Sequence, residues 1–455
     1  MRFFKPLLFQ LYLLQLENYH LRRYWHLAKL KLAADPHGRS QRQKIVWTPK
    51  ATILFIMAIV LAFLPAQSLA AYFSNIGLQA LLILALVLFF ANTLATGFLC
   101  LSVILLWPVD YIIKKIIIIR AKGKLAQFKN LKIVGITGSF GKTTMKECLA
   151  PILSEKYRIL KTPDNINTPV GISRLILKEL NHKTEILIVE MGAYQKGDIQ
   201  ELCEIAPPDI AILTGINEAH LELFGSIQNT IETKFEIVKF AKPQATAVLN
   251  EDNDLVKNNF AKYAGNRKVL WYRNSENLPL GATTPLLGRH IAAVLNACVL
   301  IAKELNLSDD EIRRGIAKIQ PIAHRLQVIE NPNGITVIDD SYNGNPAGVA
   351  EAVAVLSGFQ GRRKVYITPG LVEMGPQAPA VHRKIGEQLA AVADQVILIR
   401  NSVTPYIAAG LKDKGFADSS IIWFATAPEA HAALGQILRS GDVVLFQNDW
   451  PDNYL

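Results

Sequence analysis

Between Ala51 and Trp107 the chain has no Asp, Glu, Lys or Arg. A stretch that long without charge is neither an exposed loop nor a disordered tail. Cysteine is scarce: Cys100, Cys148, Cys203 and Cys298 are the full set. No two are spaced as C-x-x-C, which excludes a zinc ribbon, a dithiol redox motif and a disulfide scaffold. Internal repeats and low-complexity tracts are also missing. What is present is length, 455 residues, enough for two or three domains with sizeable cores. Half the residues are apolar, and the mean hydropathy is +0.21.

The net charge of +11 is unevenly placed. Residues 1–50 carry ten Lys/Arg against two acids, a balance of +8. Residues 108–132 carry seven Lys/Arg against Asp110, a balance of +6, and the remaining 133–455 sum to −3. A nucleic-acid-coating protein would spread its basic residues over the folded body, so no nucleic-acid partner is expected.

The charge-free stretch reads as two transmembrane helices, Ala51–Phe73 and Leu78–Trp107, joined at Ser74-Asn75-Ile76-Gly77. About 20 apolar residues cross a hydrocarbon layer, and Pro65 is expected to kink the first span. Both flanks are basic and the connection is uncharged, so the positive-inside rule sets both ends in the cytoplasm. Gln10, Gln15 and Glu17 interrupt the first apolar run, which argues against a cleaved signal. With Arg22, Arg23, Lys29 and Lys31 nearby, residues 1–50 suit a helix lying on an anionic leaflet, or a basic partner-binding helix.

From Leu131 short apolar runs alternate with amphipathic stretches, the pattern of an α/β fold with a mainly parallel sheet. Strands are expected at Lys132–Ile136, Ile186–Glu190, Ile210–Thr214 and Thr246–Asn250. Helices are expected at Thr143–Leu153, Gly171–Leu180 and Ile227–Phe240. Arg289–Leu305 and Ser308–Ile319 would complete that domain. A second series, Ile335–Asp339, Lys364–Thr368, Gln395–Ile399 and Val443–Gln447, implies a smaller α/β domain. The resulting division is 1–50 basic segment, 51–107 two spans, 108–130 basic linker, 131–322 central α/β domain and 323–455 C-terminal domain.

Gly135-Ile136-Thr137-Gly138-Ser139-Phe140-Gly141-Lys142-Thr143-Thr144 follows one expected strand and opens a helix. That is the setting of a phosphate loop. Glycines let backbone N–H groups approach phosphate oxygens, and the helix N-terminus favours an anion. Lys142 can reach the outer phosphates of ATP, and the Thr143 hydroxyl can ligate Mg²⁺. Ile136 stands where the general loop has its first glycine, with glycines at 135 and 138 instead. Glu190, ending a strand, suits an oxygen ligand for Mg²⁺.

The variant loop T-G-S-x-G-K-T-T resembles that of the Mur ligases, the ATP-dependent amide-forming enzymes of peptidoglycan precursor synthesis, whose family includes folylpolyglutamate and cyanophycin synthetases. Asn165-x-Asn167-Thr168-x-x-Gly171, Glu190-Met191-Gly192 and Asn217-x-x-His220-Leu221-Glu222 with Lys234 follow in the family's order. Asp339-Asp340-Ser341-Tyr342-Asn343-Gly344-Asn345-Pro346 and Val372-Glu373-Met374-Gly375 with His382 resemble its MurF branch. The resemblance covers about 131–455. It implies a P-loop central domain and a smaller Rossmann-like C-terminal domain, behind an N-terminal transmembrane α-hairpin.

The resemblance further implies ATP contacts from Gly138, Ser139, Gly141, Lys142, Thr143 and Thr144, and from Arg325, Asp340, Asn343 and Asn345 of the second domain. It implies two Mg²⁺ ions, held by Thr143, Glu190, His220 and a carbamylated Lys234. Lys142, Lys234 and His220 would be catalytic, with Asn165, Asn167 and Thr168 on the acceptor. The implied substrates are a muramyl-peptide precursor and D-Ala-D-Ala, with other cell-wall enzymes as possible partners at the inner membrane, the catalytic domains lying in the cytoplasm.

The chain departs from the family in three places. At the H-N-x-x-N adenine motif His290 is kept, but Ile291 and Val294 replace both asparagines, and Asn296 lies two residues on. The end reads Gln447-Asn448-Asp449-Trp450, not the branch's K-G-S-R-like sequence. The helical hairpin stands where family members have a uridine-nucleotide-binding domain. Alternatives are therefore a ligase for a lipid-linked precursor, a polyglutamate synthetase, and a non-catalytic scaffold for cell-wall enzymes.

Overall fold

In the computed structural model the described residues are 5–34, 44–72, 91–163, 166–217, 224–342 and 344–449. They form two compact units, divided between Ile116 and Ile117. Ser74–Gly77, the first part of the second expected span, Asn165, His220, Asn343 and the chain end from Trp450 lie outside the described residues.

The first unit is helical: Lys5–Leu16, Leu21–Ala34, Pro49–Tyr72 and the start of Ala91–Leu125. Lys5–Leu16 is apolar all round, so it has no polar face to give to water. Phe9, Leu11, Leu13 and Leu14 are buried in one cluster with Tyr24, Leu54, Ala58, Leu99 and Val103. The apolar side of Lys5–Leu16 is therefore spent on neighbouring helices. Two of the polar residues that interrupt the run have partners inside. Tyr24 Oη donates to Gln10 Oε1 at 2.8 Å, and Glu17 pairs with Arg23 at 2.6 Å.

Helix Ala91–Leu125 contains Pro108 and runs on through the segment expected as a linker from 108. The end of charge-free sequence at Trp107 is not the end of the helix. Asp110 accepts Lys50 at 3.0 Å and Lys114 at 2.8 Å, which pins the start of the first apolar helix beside the second. Among the described residues, one helix, Thr96–Leu125, is long and apolar enough to cross a membrane.

In the second unit, six strands form a parallel sheet in the order β2-β3-β1-β4-β5-β6. They are β1 Lys132–Thr137, β2 Ile159–Lys161, β3 Ile186–Glu190, β4 Ile210–Leu213, β5 Thr246–Asn250 and β6 Val269–Tyr272. The sheet is covered on both faces, as parallel sheets require. Ile133, Leu187, Val189 and Leu213 face helices Asp198–Ile205 and Ile227–Lys239. Val134, Ile136, Ile188 and Ile212 face Lys142–Leu153 and His290–Glu304. β1 lies between β3 and β4, where the strand order reverses. The loops after these strands open a crevice at their carboxyl ends, the usual ligand position in such sheets.

The second sheet runs β11-β10-β9-β12-β8-β7. Its strands are β7 Gln327–Glu330, β8 Thr336–Asp340, β9 Lys364–Thr368, β10 Gln395–Ile399, β11 Ile421–Phe424 and β12 Val443–Gln447. All pairs are parallel except β7 with β8, so this sheet is mixed. Helices Pro346–Ser357, Ala378–Ala390 and Thr404–Asp413 cover the face that carries Ile338, Tyr366 and Leu445.

Candidate active site

The phosphate loop leaves β1 at Thr137 and enters helix Lys142–Leu153 at Gly141, in the left-handed region at φ 73°. Gly138 is required by contact. A Cβ there would sit 2.0 Å from Thr214 Oγ1. Thr214 ties the loop down, its hydroxyl donating to the carbonyls of Thr137, at 3.1 Å, and Phe140. Ser139 N–H is spent on Gly215 O at 2.8 Å, while Ser139 Oγ is buried with no partner among the described residues. A buried hydroxyl is normally bonded, so Ser139 Oγ fits a phosphate oxygen as its acceptor. Gly138→Ala should destabilise the fold by about 1–3 kcal/mol through overpacking and weaken nucleotide binding. Denaturant melts and ADP titration check both.

Lys142 Nζ donates to Gly138 O at 2.8 Å and so arches over the loop. Burial depresses its pKa, Glu190 opposes that shift, and the positive charge of Arg325 adds to it. Register alignment of Ile136 with Glu190 sets the β3 carboxylate beside the loop. Thr143 Oγ1 donates to Glu190 Oε2 at 3.1 Å. Thr144, next along, is buried. Among the described residues no group of three His, Cys, Asp or Glu side chains could cage a metal. The hydroxyl of Thr143 and the carboxylate of Glu190 are hard oxygen donors, and a cation held by one carboxylate, a few waters and substrate phosphates is the habit of Mg²⁺. The donor set therefore fits that ion.

Lys234, on helix Ile227–Lys239, is 2% exposed, and its ammonium lies 5.4 Å from the Phe224 ring centre. Burial pushes its pKa down to about 7, helped by the charge of Lys142 and opposed by Asp198 and Glu236. A lysine whose amine loses its proton near pH 7 can serve as a nucleophile as well as a counter-ion.

Asn167 and Thr168 fall between the ends of β2 and β3. The Asn167 carbonyl accepts Gly192 N–H at 3.2 Å, and its side chain fills the space a Gly192 Cβ would need. The Thr168 hydroxyl caps helix Pro169–Glu179.

The C-terminal domain brings a second set of groups. Arg325 is held between two residues of positive φ, His324 at 60° and Leu326 at 47°. Strain of that kind persists where the surroundings fix the chain. His324 is fixed by Asp339 at 2.8 Å. The Arg325 guanidinium lies 4.5 Å over the Tyr342 ring and donates to Tyr342 O at 3.2 Å. Burial lowers its pKa, while Asp340, Tyr342 and Glu190 oppose the shift, so this cation is within electrostatic reach of the phosphate loop. Asp340 is pushed up to about 6, mainly by burial, against a hydrogen bond from Gln447 and the charge of Arg325. Asn345 caps helix Pro346–Ser357 and accepts from Asn217 Nδ2 at 3.4 Å, joining the loops after β4 and β8.

Sequence reasoning missed two supports. Gln447 donates to Asp340 at 3.3 Å and accepts from Tyr366 Oη at 3.2 Å. Asn448 accepts Gly344 N–H at 2.9 Å and donates to Gly370 O at 2.5 Å. The departed C-terminal sequence thus braces the Asp340–Asn345 loop. The other missed group is Lys146, entirely buried and 3.2 Å from Glu190 Oε2. His382 is also buried: its Nε2 accepts Leu371 N–H at 2.8 Å and its Nδ1 donates to Ala378 O at 2.6 Å. At the altered adenine motif, Asn296 donates to Arg273 O and Ser275 Oγ, and His290 lies 3.8 Å from Glu351.

Residues 136–300 match the Mur ligase middle domain, and 324–447 match the Mur ligase glutamate ligase domain. The UDP-N-acetylmuramoyl-tripeptide–D-alanyl-D-alanine ligase of Synechocystis is 30% identical over 331 residues, 70% of this chain and 71% of that protein. The ligase of the same name from Bacillus subtilis is 25% identical, over 70% and 72%. Among solved structures, MurF from Acinetobacter baumannii superposes with a TM-score of 0.66 at 25% identity, covering 74% of this chain and 77% of that one. MurF from Thermotoga maritima in complex with ADP gives 0.64 at 28% identity, covering 74% and 80%.

Proposed function

The chain belongs to the Mur ligase family, and we propose that it is a membrane-tethered ligase that joins D-Ala-D-Ala to a UDP-N-acetylmuramoyl tripeptide with ATP. The observation that carries this is the Thr143–Glu190 contact beside the loop Gly138–Lys142, with Arg325 approaching from the second domain. A carboxylate does not yield an amide directly, because oxide is too poor a leaving group. Transfer of the γ-phosphoryl from ATP gives an acyl phosphate and ADP. The amine of D-Ala-D-Ala then attacks the carbonyl, phosphate leaves, and the amine's proton passes to solvent or base.

Phosphoryl transfer depends on positioning and charge neutralisation. The loop N–H groups, Ser139 and Thr144 cradle phosphates, while Lys142 and Arg325 balance charge from opposite domains. Thr143 and Glu190 would hold a Mg²⁺ ion, which would supply further charge neutralisation, and His220 would serve a second such site. Lys234, neutral near pH 7, adds CO₂ through its amine, losing one proton and becoming an anionic carbamate. Asp340 would contact the nucleotide, Asn345 the amine, and Asn167 and Thr168 the acceptor, with Asn343 and Asn165 assigned to the same ligands by the family motif alone. Asn217 and Asn345 meet at 3.4 Å across the two domains, where closure of the domains would keep water from the acyl phosphate.

The helices of the first unit support a membrane reading. Ile53, Ile56, Val60, Leu101, Ile104 and Trp107 are exposed, an apolar surface that water does not favour. The basic flanks orient both ends to the cytoplasm. A reporter active only in the cytoplasm, fused after Leu455, should be active, and the protein should sediment with the inner membrane. Activity of a periplasmic reporter at that position would refute the topology. The same helices favour a second reading, in which the acceptor is lipid-linked. The retained Lys142, Thr143, Glu190 and Lys234 argue against a scaffold. Phosphate release from a panel containing UDP-linked tripeptide, lipid-linked tripeptide and D-Ala-D-Ala separates these readings. The primary reading expects ATP turnover with the UDP-linked tripeptide only when D-Ala-D-Ala is present.

A further inference from the structure

Lys146 lies one helical turn after Lys142, among the buried residues Met145, Cys148 and Leu149. A lysine there would ordinarily be replaced by an apolar residue, since burying an ammonium is costly unless it is paired. Its ammonium is 3.2 Å from Glu190 Oε2 and 3.6 Å from Glu147 Oε1. Glu147 is ion-paired with Lys161, which ends β2. The next residue, Thr162, accepts the Glu190 backbone N–H at 3.0 Å. Glu190 is thus gripped by its main chain through Thr162, by one hydroxyl through Thr143, and by one fixed cation.

We propose that Lys146 is a positioning residue and built-in counter-ion for Glu190, which competes with the divalent cation so that metal enters together with nucleotide phosphates rather than alone. The inference rests on the reading of Glu190 as a metal ligand. A carboxylate with an ammonium against one oxygen has less negative charge to offer a second cation. Phosphate oxygens restore that charge when the nucleotide arrives. Lys161 tunes the device from outside. By pairing with Glu147 it weakens that carboxylate's competing pull on Lys146.

The test is Mn²⁺ binding to the full chain in detergent, followed by electron paramagnetic resonance with and without ADP. Without ADP, Lys146→Met should bind Mn²⁺ about tenfold tighter or more, the size expected when one close charge pair is removed. With ADP the gain should shrink. In Lys146→Met/Glu190→Gln it should vanish, because the contested carboxylate is gone. Unchanged or weaker Mn²⁺ binding in a folded Lys146→Met protein overturns the proposal, as does a gain that survives in the double variant. Should Lys146→Met not fold, Lys161→Ala carries the question from a half-exposed position. It frees Glu147 to draw Lys146 away and should tighten Mn²⁺ two- to threefold by rough estimate; no change there overturns the proposal. Metal binding needs neither acceptor nor amine, so its failure is distinct from an error in substrate assignment.

Discussion

Lys142→Ala should lower kcat for ATP-dependent phosphate release by about 10²–10³-fold or more, the range seen when one preorganised charge stabiliser is removed. The fold should survive. Lys142 is half-buried and makes one hydrogen bond, to Gly138 O, so its loss removes little packing. Phosphoryl transfer has almost no covalent work for the protein, and the charge moving between ADP and the acceptor carboxylate must be met where it develops. Arg325 comes from the other domain and cannot replace a group arched over the loop itself. The measurement is steady-state phosphate release beside a melting curve. Full activity in a folded Lys142→Ala protein would favour the scaffold reading.

The second large effect belongs to Lys234. Only a neutral amine adds CO₂, and the neutral fraction rises with pH through about 7. The dissolved CO₂ concentration needed for half-activity should therefore climb as pH falls below 7. Stripping CO₂ should silence the enzyme reversibly. Lys234→Met should lose about 10²-fold or more in kcat, on the scale of a lost electrostatic stabiliser, and should no longer respond to CO₂. Stability moves the other way. The folded pKa lies below the ordinary lysine value of 10.5, so below pH 7 both states are charged and the native state bears the burial penalty. Between about 7 and 10.5 only the unfolded state stays protonated, and wild-type stability rises with pH. The stabilising effect of Lys234→Met should be largest below pH 7 and fade by 10.5. A flat difference from pH 6 to 10 would contradict the burial argument.

The buried strands were legible because they lie between neighbours. β1, β3, β4, β5, β9, β10 and β12 show as continuous apolar runs, since both faces are covered. The strands not foreseen, β2, β6, β7 and β11, are the four sheet edges. Their runs are short and only partly covered: Ile159–Lys161 and Gln327–Glu330 include polar residues, and Val269–Tyr272 and Ile421–Phe424 are apolar but only four residues long. In the site, the loop Gly138–Thr144 was readable because its chemistry is consecutive in sequence. Lys146 was not, because a lysine on an amphipathic helix reads as a solvated residue until Glu190 is brought to it from 44 positions on. Gln447 and Asn448 were seen only as departures from a pattern. Their use appears once β12 is set beside β8 and brings them to Asp340 and Gly344.

The segment from 108 to 125 shows a different limit. Charge reports the surrounding solvent, whereas backbone hydrogen bonding decides where a helix ends. Lys114, Lys115, Arg120 and Lys122 are compatible with both a linker and a helix, and the chain takes the helix. The asymmetry in charge thus located the apolar module but not its last turn.

The most direct measurement is the product itself. Purified full-length protein, in detergent, is given ATP, Mg²⁺, UDP-N-acetylmuramoyl tripeptide and D-Ala-D-Ala, and the product is weighed by mass spectrometry while phosphate is counted. The account expects UDP-linked pentapeptide, one phosphate released per pentapeptide, and none from Lys142→Ala. Pentapeptide formed only on a lipid-linked tripeptide, or phosphate released without any new amide, would contradict it.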